Sequence, residues 1–489
     1  MAVKNQVQLI TYPDSLGGDL KSLYYVLQTH FPHLFAGGIH ILPPFPSSSD
    51  RGFAPITYLN LASEFGTWQD IRRIGGQSPI LLDLMVNHLS ADSSYFQDFL
   101  KFGHQSQYAD LFIPPRKIWP TGDPPQKDLQ EIFLRRGEPF SDFTIRETGE
   151  TVRVWTTFGK TTPSGQIDID VNSLIARRLL TEIMAKFAEN GVRIVRLDAV
   201  GYVIKKPGTS CFFVEPEIYR FLEWISGLAN SLGLEVLPEV HADYATQFRL
   251  AERGYWIYDF ILPYAVLDAL LNGTGKRLKE YLKNRPHRQF TMLDCHDGVP
   301  VKPDLNGLYR GEDARRVVAT CLDRGANVSP LFSPRHADPD GFDVHQINGA
   351  SYSLLDLNDE AYLAARAIQF FTPGVPQVYY VGLLAGSNDQ AAVERTGDGR
   401  DINRHNYSLD EVRREVRRPV VQRLMRLIRF RNEYPAFDGL FQVEDSDDSV
   451  LALSWENERS SCQLSVDLNN HKAMIRYGSE PGNLVDFAL

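Results

Sequence analysis

Four short apolar runs in this 489-residue chain end in side chains that carry charge or a ring nitrogen. Asn87-His88 follows the run at 79–86, and Arg196-Leu197-Asp198 closes the run at 193–197. Glu239-Val240-His241 closes 234–240, and Asp294-Cys295-His296-Asp297 follows 290–293. Retaining glycosyl transfer needs an ionised carboxylate as nucleophile and a protonated one to expel the leaving group, about 5–5.5 Å apart. The set suits that chemistry, with Asp198 as nucleophile, Glu239 as acid/base and Asp297 stabilising the oxocarbenium-like charge. Arg196 lies two positions before Asp198 in a strand, so both side chains leave one face. Its charge should hold Asp198 ionised. Burial and the Asp198 charge should raise the Glu239 carboxyl, as an acid catalyst requires. His88 and His296 can bond sugar hydroxyls. A lone strand-end Asp is ordinarily a helix cap, and a lone His is ordinarily structural. Their convergence on successive strand ends argues for a site.

These groups need a scaffold that brings strand ends together. Strands are expected at 7–11, 38–42, 79–86, 193–197, 234–240, 255–260, 290–293 and 377–381. Helical patterns fall between them, as at 21–31, 67–75, 173–190 and 359–371. Leu174, Leu179, Leu180, Ile183, Met184 and Phe187 recur at helical spacing, and Gly191 follows as a C-cap. Strands alternating with helices imply parallel pairing, and eight such units imply a closed (β/α)8 TIM barrel. Two irregular stretches interrupt the rhythm and a strand-like tail ends it. The expected architecture is an α/β barrel with two inserted subdomains and a small C-terminal β domain. Its parts are barrel 1–86, insertion 87–172, barrel 173–297, insertion 298–357, barrel 358–437 and tail 438–489.

Composition excludes several function classes. A net charge of −10 and the lack of a basic stripe argue against a nucleic-acid partner. Cys211, Cys295, Cys321 and Cys462 form no CxxC pair, and scattered thiols suit a reducing compartment. The first residues lack a signal-peptide run, and no apolar stretch is long enough for a membrane span. A cytoplasmic enzyme without membrane contact is the expectation.

The strings Asp83-Leu-Met-Val-Asn-His88, Arg193-Ile-Val-Arg-Leu-Asp-Ala-Val200, Leu237-Pro-Glu-Val-His241 and Leu293-Asp-Cys-His-Asp297 resemble the four signature regions of the α-amylase superfamily, in order. Five further strings resemble its sucrose phosphorylase branch: Val7-Gln-Leu-Ile-Thr-Tyr12, Arg196-Leu-Asp-Ala-Val-Gly-Tyr202, Gly208-Thr-Ser-Cys-Phe212, Pro373-Gly-Val-Pro-Gln-Val-Tyr-Tyr-Val-Gly382 and Gly399-Arg-Asp-Ile-Asn-Arg-His405. The resemblance covers nearly the whole chain. It implies two B-type insertions and a phosphate, rather than water, as glucosyl acceptor. It implies that Asp198 becomes glucosylated, with Glu239 as acid/base and Asp297 as stabiliser. It further implies that Asp50, His88, Arg196, His296 and Arg404 hold the glucosyl ring, with Phe53 and Phe158 as apolar walls and His241 in the same substrate-binding set. Phe53 and Phe158 read equally well as plain core. No cofactor and no metal are implied. Asn87 stands where calcium-dependent amylases place a ligand, but no further ligands assemble around it.

Two loops should choose the acceptor. One is Phe133-Leu-Arg-Arg-Gly-Glu-Pro-Phe140, and the other is Gly341-Phe-Asp-Val-His-Gln-Ile-Asn348. Sucrose phosphorylases typically carry Tyr where this chain has His345. That departure, with Arg135-Arg136, resembles the branch members that act on sucrose 6'-phosphate. So do Leu42-Pro-Pro-Phe-Pro-Ser-Ser48, Asp50-Arg-Gly-Phe-Ala-Pro-Ile-Thr-Tyr58 and Gly201-Tyr-Val-Ile-Lys-Lys206. An arginine fork suits phosphate, and a His in place of Tyr adds a donor able to carry charge. Arg135, Arg136, Asp343, His345 and Gln346 are the expected acceptor and phosphate residues. The alternative for Arg135 and Arg136 is a solvated pair, and Lys205 and Lys206 read as surface charge. Expected partners are sucrose 6'-phosphate, inorganic phosphate, glucose 1-phosphate and fructose 6-phosphate. The alternatives are unphosphorylated sucrose, glucosylglycerol or glucosylglycerate as substrate. A hydrolase, a catalytically dead sugar-binding barrel and a metal enzyme fit less well. Oligomeric state is left open.

Overall fold

The protein is described by a computed structural model covering residues 3–332, 342–479 and 484–489. Its centre is a set of eight short strands: β1 (Gln8–Thr11), β2 (Gly38–Ile41), β3 (Ile80–Met85), β4 (Val192–Asp198), β5 (Glu235–Pro238), β6 (Ile257–Asp259), β7 (Gln289–Thr291) and β8 (Val375–Tyr379). All pair in parallel, in the order β6-β7-β8-β1-β2-β3-β4-β5. β5 and β6, at the two ends of that order, lie against each other and complete the (β/α)8 barrel. Helices cover the outside, so the strands read as continuous apolar runs. β3, for example, is Ile-Leu-Leu-Asp-Leu-Met and buried throughout.

Leu81, Ile194, Leu237, Tyr258, Phe290 and Val375 pack together as an interior layer contributed by successive strands. Two residues further along β3 and β4 the interior turns polar. Asp83 accepts from Arg196 at 2.5 Å and pairs with His40 Nε2 at 2.7 Å, all three buried. This layer is the floor of the C-terminal mouth.

The helices start where the sequence supplies caps. Ser173 Oγ accepts the Ala176 N–H at 3.0 Å and opens Leu174–Glu189. Leu179, Leu180, Ile183, Met184 and Phe187 face inward, whereas Leu174, at the first position, is 84% exposed. Asn190 is the C-cap, and Gly191, at φ +81°, lies one residue beyond it. The eighth strand starts two residues earlier than expected. Its ladder runs through Pro376, opposite Thr291, and Tyr380–Leu383 is a short helix. A proline inside the run obscured that start.

The segment after β3 holds the antiparallel pairs His88–Ser90 with Gln166–Asp168 and Phe140–Thr144 with Thr151–Trp155. The segment after β7 holds a three-stranded sheet with Val344–Asn348 between Val299–Pro300 and Asn327–Pro330. Residues 333–341 of the expected second insertion, including Gly341 of the acceptor loop, lie outside the described residues. Five antiparallel strands from Leu440 to Phe487 form the C-terminal sheet. Trp455 Nε1 anchors it by donating to the Phe371 carbonyl at 2.7 Å.

Candidate active site

A cavity of about 1160 Å3 opens at the C-terminal ends of the barrel strands. Asp198, Glu239 and Asp297 line it, as do Asp50, Phe53, His88, Phe158, His241 and His296. From the expected acceptor set, Arg135, Arg136, His345 and Gln346 line it too. Three expected residues do not. Arg196 lies beneath the acids, Arg404 bonds the His296 carbonyl at 2.8 and 2.9 Å, and Asp343 contributes its carbonyl to the Leu331 N–H at 2.8 Å.

Arg196 touches both members of the expected catalytic pair. Nη1 lies 2.8 Å from Asp198 Oδ1, and Nη2 lies 3.0 Å from Glu239 Oε1. One guanidinium spanning two acids is compatible with the about 5–5.5 Å separation of a retaining pair. The proton balance is the reverse of the expectation. Burial pushes Glu239 up, but Arg196 and His241 outweigh it and hold the carboxyl down to about 2. The Ala199 N–H adds a third donor, to Oε2 at 2.8 Å. Asp198 has Arg196 as its charged donor. Burial first, and then the Glu239 charge, push it well above the usual carboxylate range. Arg196, assigned to Asp198 alone by strand alternation, serves both acids. In this state the ionised member is Glu239.

Asp297 is held well below the ordinary carboxylate range despite its burial, by His296, Arg400, Arg404 and His241. Burial depresses His296 itself to about 4, so at neutral pH its share vanishes and the arginines and His241 carry the effect. Arg400 was not foreseen. Its Nη1 lies 3.1 Å from Asp297 and its Nη2 2.5 Å from Asp50, and it lines the cavity. The string Gly399-Arg-Asp-Ile-Asn-Arg-His405 offers two arginines, and chain spacing alone does not say which faces the mouth. Asp50 and Arg51 take left-handed φ of 52° and 49°, and Gly52 follows at 108°. That turn aims Asp50 at Arg400. A side chain at Gly52 would meet the Pro43 carbonyl at 2.5 Å.

The ring contacts match a sugar-sized slot. Phe53 stacks on His296 at 4.8 Å, and Phe158 lies 5.3 Å from His88. His88 Nε2 donates to the Phe53 carbonyl at 2.9 Å, which leaves Nδ1 as an acceptor. Burial lowers its pKa, so the ring is neutral.

On the acceptor side, Arg135 Nη1 donates to His345 Nε2 at 2.8 Å. His345 Nδ1 donates to the Lys302 carbonyl at 2.5 Å, which fixes the tautomer. Burial and the Arg135 charge hold His345 well below its usual value. His345 is therefore a neutral acceptor that orients Arg135, not a second charged donor. Arg136 is spent on its own insertion, donating to Ser141, Thr156 and the Thr161 carbonyl at 3.1, 3.1 and 2.8 Å.

Lys205 is not surface charge. Its ammonium lies 2.7 Å from Asp168, with both side chains buried, and donates to Asn87 Oδ1 at 3.1 Å. The Asn87 oxygen is thus committed to an ammonium. Lys206 pairs with Glu217 at 2.8 Å on the surface. Glu239, His241 and Asp297 place donor atoms within 4.8 Å of one another. Arg196, Arg400 and the His241 ring already supply positive charge to them, which suits acid–base chemistry better than metal ligation. A second unforeseen acid, Asp304, is fully buried and faces His241.

No protein-family model matches the chain. Whole-chain relatives do. The chain is 59% identical over 489 residues, 100% of both chains, to a protein of Thermoanaerobacterium thermosaccharolyticum named sucrose 6(F)-phosphate phosphorylase. The chain belongs to the sucrose phosphorylase family. A family member from Marinobacter adhaerens, named glucosylglycerol phosphorylase, is 42% identical over 98% of this chain and 97% of its own. The crystal structure of sucrose 6F-phosphate phosphorylase from Thermoanaerobacter thermosaccharolyticum matches with a TM-score of 0.98 and 58% identity, over 100% of this chain and 99% of that one. The alpha-amylase of H. orenii, 17% identical with a TM-score of 0.69 over 95% and 90%, shares the fold. Family members differ in named substrate, so the acceptor pocket carries the distinction.

Proposed function

We propose that the protein is a retaining glycoside phosphorylase that converts sucrose 6'-phosphate and phosphate reversibly into α-glucose 1-phosphate and fructose 6-phosphate. The observation that carries the reading is Arg135, held over the acceptor side by His345, in a chain so similar throughout to the relative named for that substrate. An oriented guanidinium suits a phosphate-bearing acceptor.

In this reading Asp198 attacks C1 of the glucosyl unit as the bond to the fructosyl oxygen breaks. Glu239 gives that oxygen a proton. Phosphate then attacks C1, Glu239 takes its proton, and Asp198 leaves. The unliganded site has Glu239 in its base form, the form used with phosphate. For the first step the proton of the carboxyl pair must pass to Glu239 as the bridging oxygen arrives beside it. Unliganded geometry does not exclude an acid that acquires its proton in the complex. Asp297 faces the developing positive charge. Asp50, Arg400, His88 and His296 bond the glucosyl hydroxyls between Phe53 and Phe158, and Arg404 fixes the His296 backbone. Gln346 completes the acceptor wall. The two insertions serve as the walls of the cavity, and the C-terminal sheet as a buttress on the barrel. Four unpaired thiols support a reducing, cytoplasmic setting. Among the described residues no helix is long and apolar enough to cross a membrane.

The test is to supply phosphate with sucrose 6'-phosphate, sucrose or glucosylglycerol and to assay glucose 1-phosphate. Fastest turnover of the phosphorylated sugar is expected. Equal or better turnover of plain sucrose would refute the acceptor assignment, and phosphate-independent release of glucose would point to a hydrolase.

A further inference from the structure

Asp304 lies just beyond the strand Val299–Pro300 of the second insertion, and it is fully buried. Both of its oxygens sit 3.3 Å from His241 Nδ1, and Gln247 Nε2 donates to Oδ1 at 3.3 Å. On the opposite edge of the ring, His241 Nε2 lies 3.4 Å from Glu239 Oε1. Phe260 stacks on the ring at 3.9 Å and keeps it in this plane. A carboxylate only accepts hydrogen bonds. A ring with a carboxylate at each nitrogen satisfies both only as imidazolium.

The neighbouring charges agree. Glu239, from the end of β5, also bears Arg196 of β4. Asp297, after β7, is tied to Arg400. His345, centred 5.8 Å from His241, is neutral and takes the Arg135 proton donor. The charge on His241 thus faces one cation, Arg135, across a neutral ring, and two carboxylates at contact. Burial alone would lower the His241 pKa, yet Asp304 and Glu239 bring it up to about 10. Lys302, two residues before Asp304, sets the His345 tautomer through its carbonyl. One short segment therefore sets the proton state of both acceptor-side histidines.

We infer that Asp304 is a positioning residue that holds His241 as a cation beside Glu239, so that the acceptor side attracts phosphate rather than water and keeps Glu239 ready to take the phosphate proton. The inference rests on the phosphorylase reading above. Water is neutral and gains little from the imidazolium, whereas phosphate and a phosphorylated acceptor are anions.

Asp304→Asn keeps the shape and one acceptor oxygen but removes the charge. Phosphorolysis and hydrolysis would be measured from pH 6 to pH 8, with glucose 1-phosphate and free glucose as readouts. The expected result at pH 8 is a KM for phosphate raised, and a phosphorolysis-to-hydrolysis ratio lowered, by about tenfold or more. Recovery is expected toward pH 6, where the imidazolium re-forms. His241→Gln should lower the ratio at every pH without acid recovery, and Asp304→Asn should then change nothing further. An unchanged ratio and pH profile in Asp304→Asn, or a parallel loss of both reactions, would overturn the inference. If Asp304→Asn does not fold, His241→Gln decides, and a wild-type ratio there overturns it. A wild-type protein that makes no phosphate-dependent glucose 1-phosphate overturns the phosphorylase reading itself.

Discussion

Arg135 and Arg136 are adjacent in sequence and differ in every contact that matters. Arg135 has a neutral ring behind it and the cavity before it, whereas Arg136 has its nitrogens committed to Ser141, Thr156 and Thr161. Arg135→Ala should lower kcat/KM for fructose 6-phosphate about ten- to hundredfold, the value of a charge-assisted hydrogen bond, with a smaller effect on fructose. Initial rates in the synthetic direction with both acceptors check this. Arg136→Ala should lower the melting temperature and leave the acceptor ratio unchanged. Arg400→Ala removes the partner of both Asp50 and Asp297, so kcat should fall with every acceptor alike. An effect of Arg400→Ala confined to one acceptor would place it on the wrong side of the scissile bond.

At the scale of elements, Lys205 decides how the first insertion sits on the barrel. The ammonium joins Asp168, on the strand Gln166–Asp168, to Asn87 at the end of β3 and to the turn after β4. Removing one partner of a buried pair strands the other charge, at a cost of about 3–5 kcal/mol. Lys205→Met should therefore lower stability by about that amount in urea unfolding, and Lys205→Met with Asp168→Asn should regain much of it. A surface lysine, as the sequence suggested, would cost almost nothing. Ser173→Ala tests a simpler element. It removes one cap and should cost about 1 kcal/mol.

For the whole molecule, two buried histidines pull the pH dependence of stability in opposite directions. His296 is lowered from about 6.5 to about 4, so between those values the unfolded chain binds the extra proton. Its contribution is full above pH about 6.5 and is lost as pH falls toward 4, by about 3 kcal/mol. His241 is raised to about 10, so the folded chain binds the extra proton. That contribution is full below about 6.5 and is lost as pH rises through 10. Thermal midpoints measured from pH 4 to 10 should decline on both sides of a maximum near neutrality. Asp304→Asn should flatten the alkaline limb alone.

The sequence by itself determined the barrel, its strand ends and the three acids, because these are local. Strands buried on both faces must read as apolar runs, and a barrel gathers whatever follows them. Asp198, Glu239 and Asp297 each follow such a run, so they were legible before any contact was known. Arg400, Asp304 and Lys205 do not follow a run. Their significance comes from partners such as Asp50, His241 and Asp168, far away in the chain, which only packing supplies. The same holds for proton positions. Whether Glu239 or Asp198 is ionised, and whether His345 donates or accepts, depends on which donors surround each group in three dimensions. Arg196 could be placed beside Asp198 by strand alternation, but its second hydrogen bond, to a neighbouring strand, belongs to the tertiary structure. Charge state is a property of an environment, and the environment is built from residues that sequence order does not bring together.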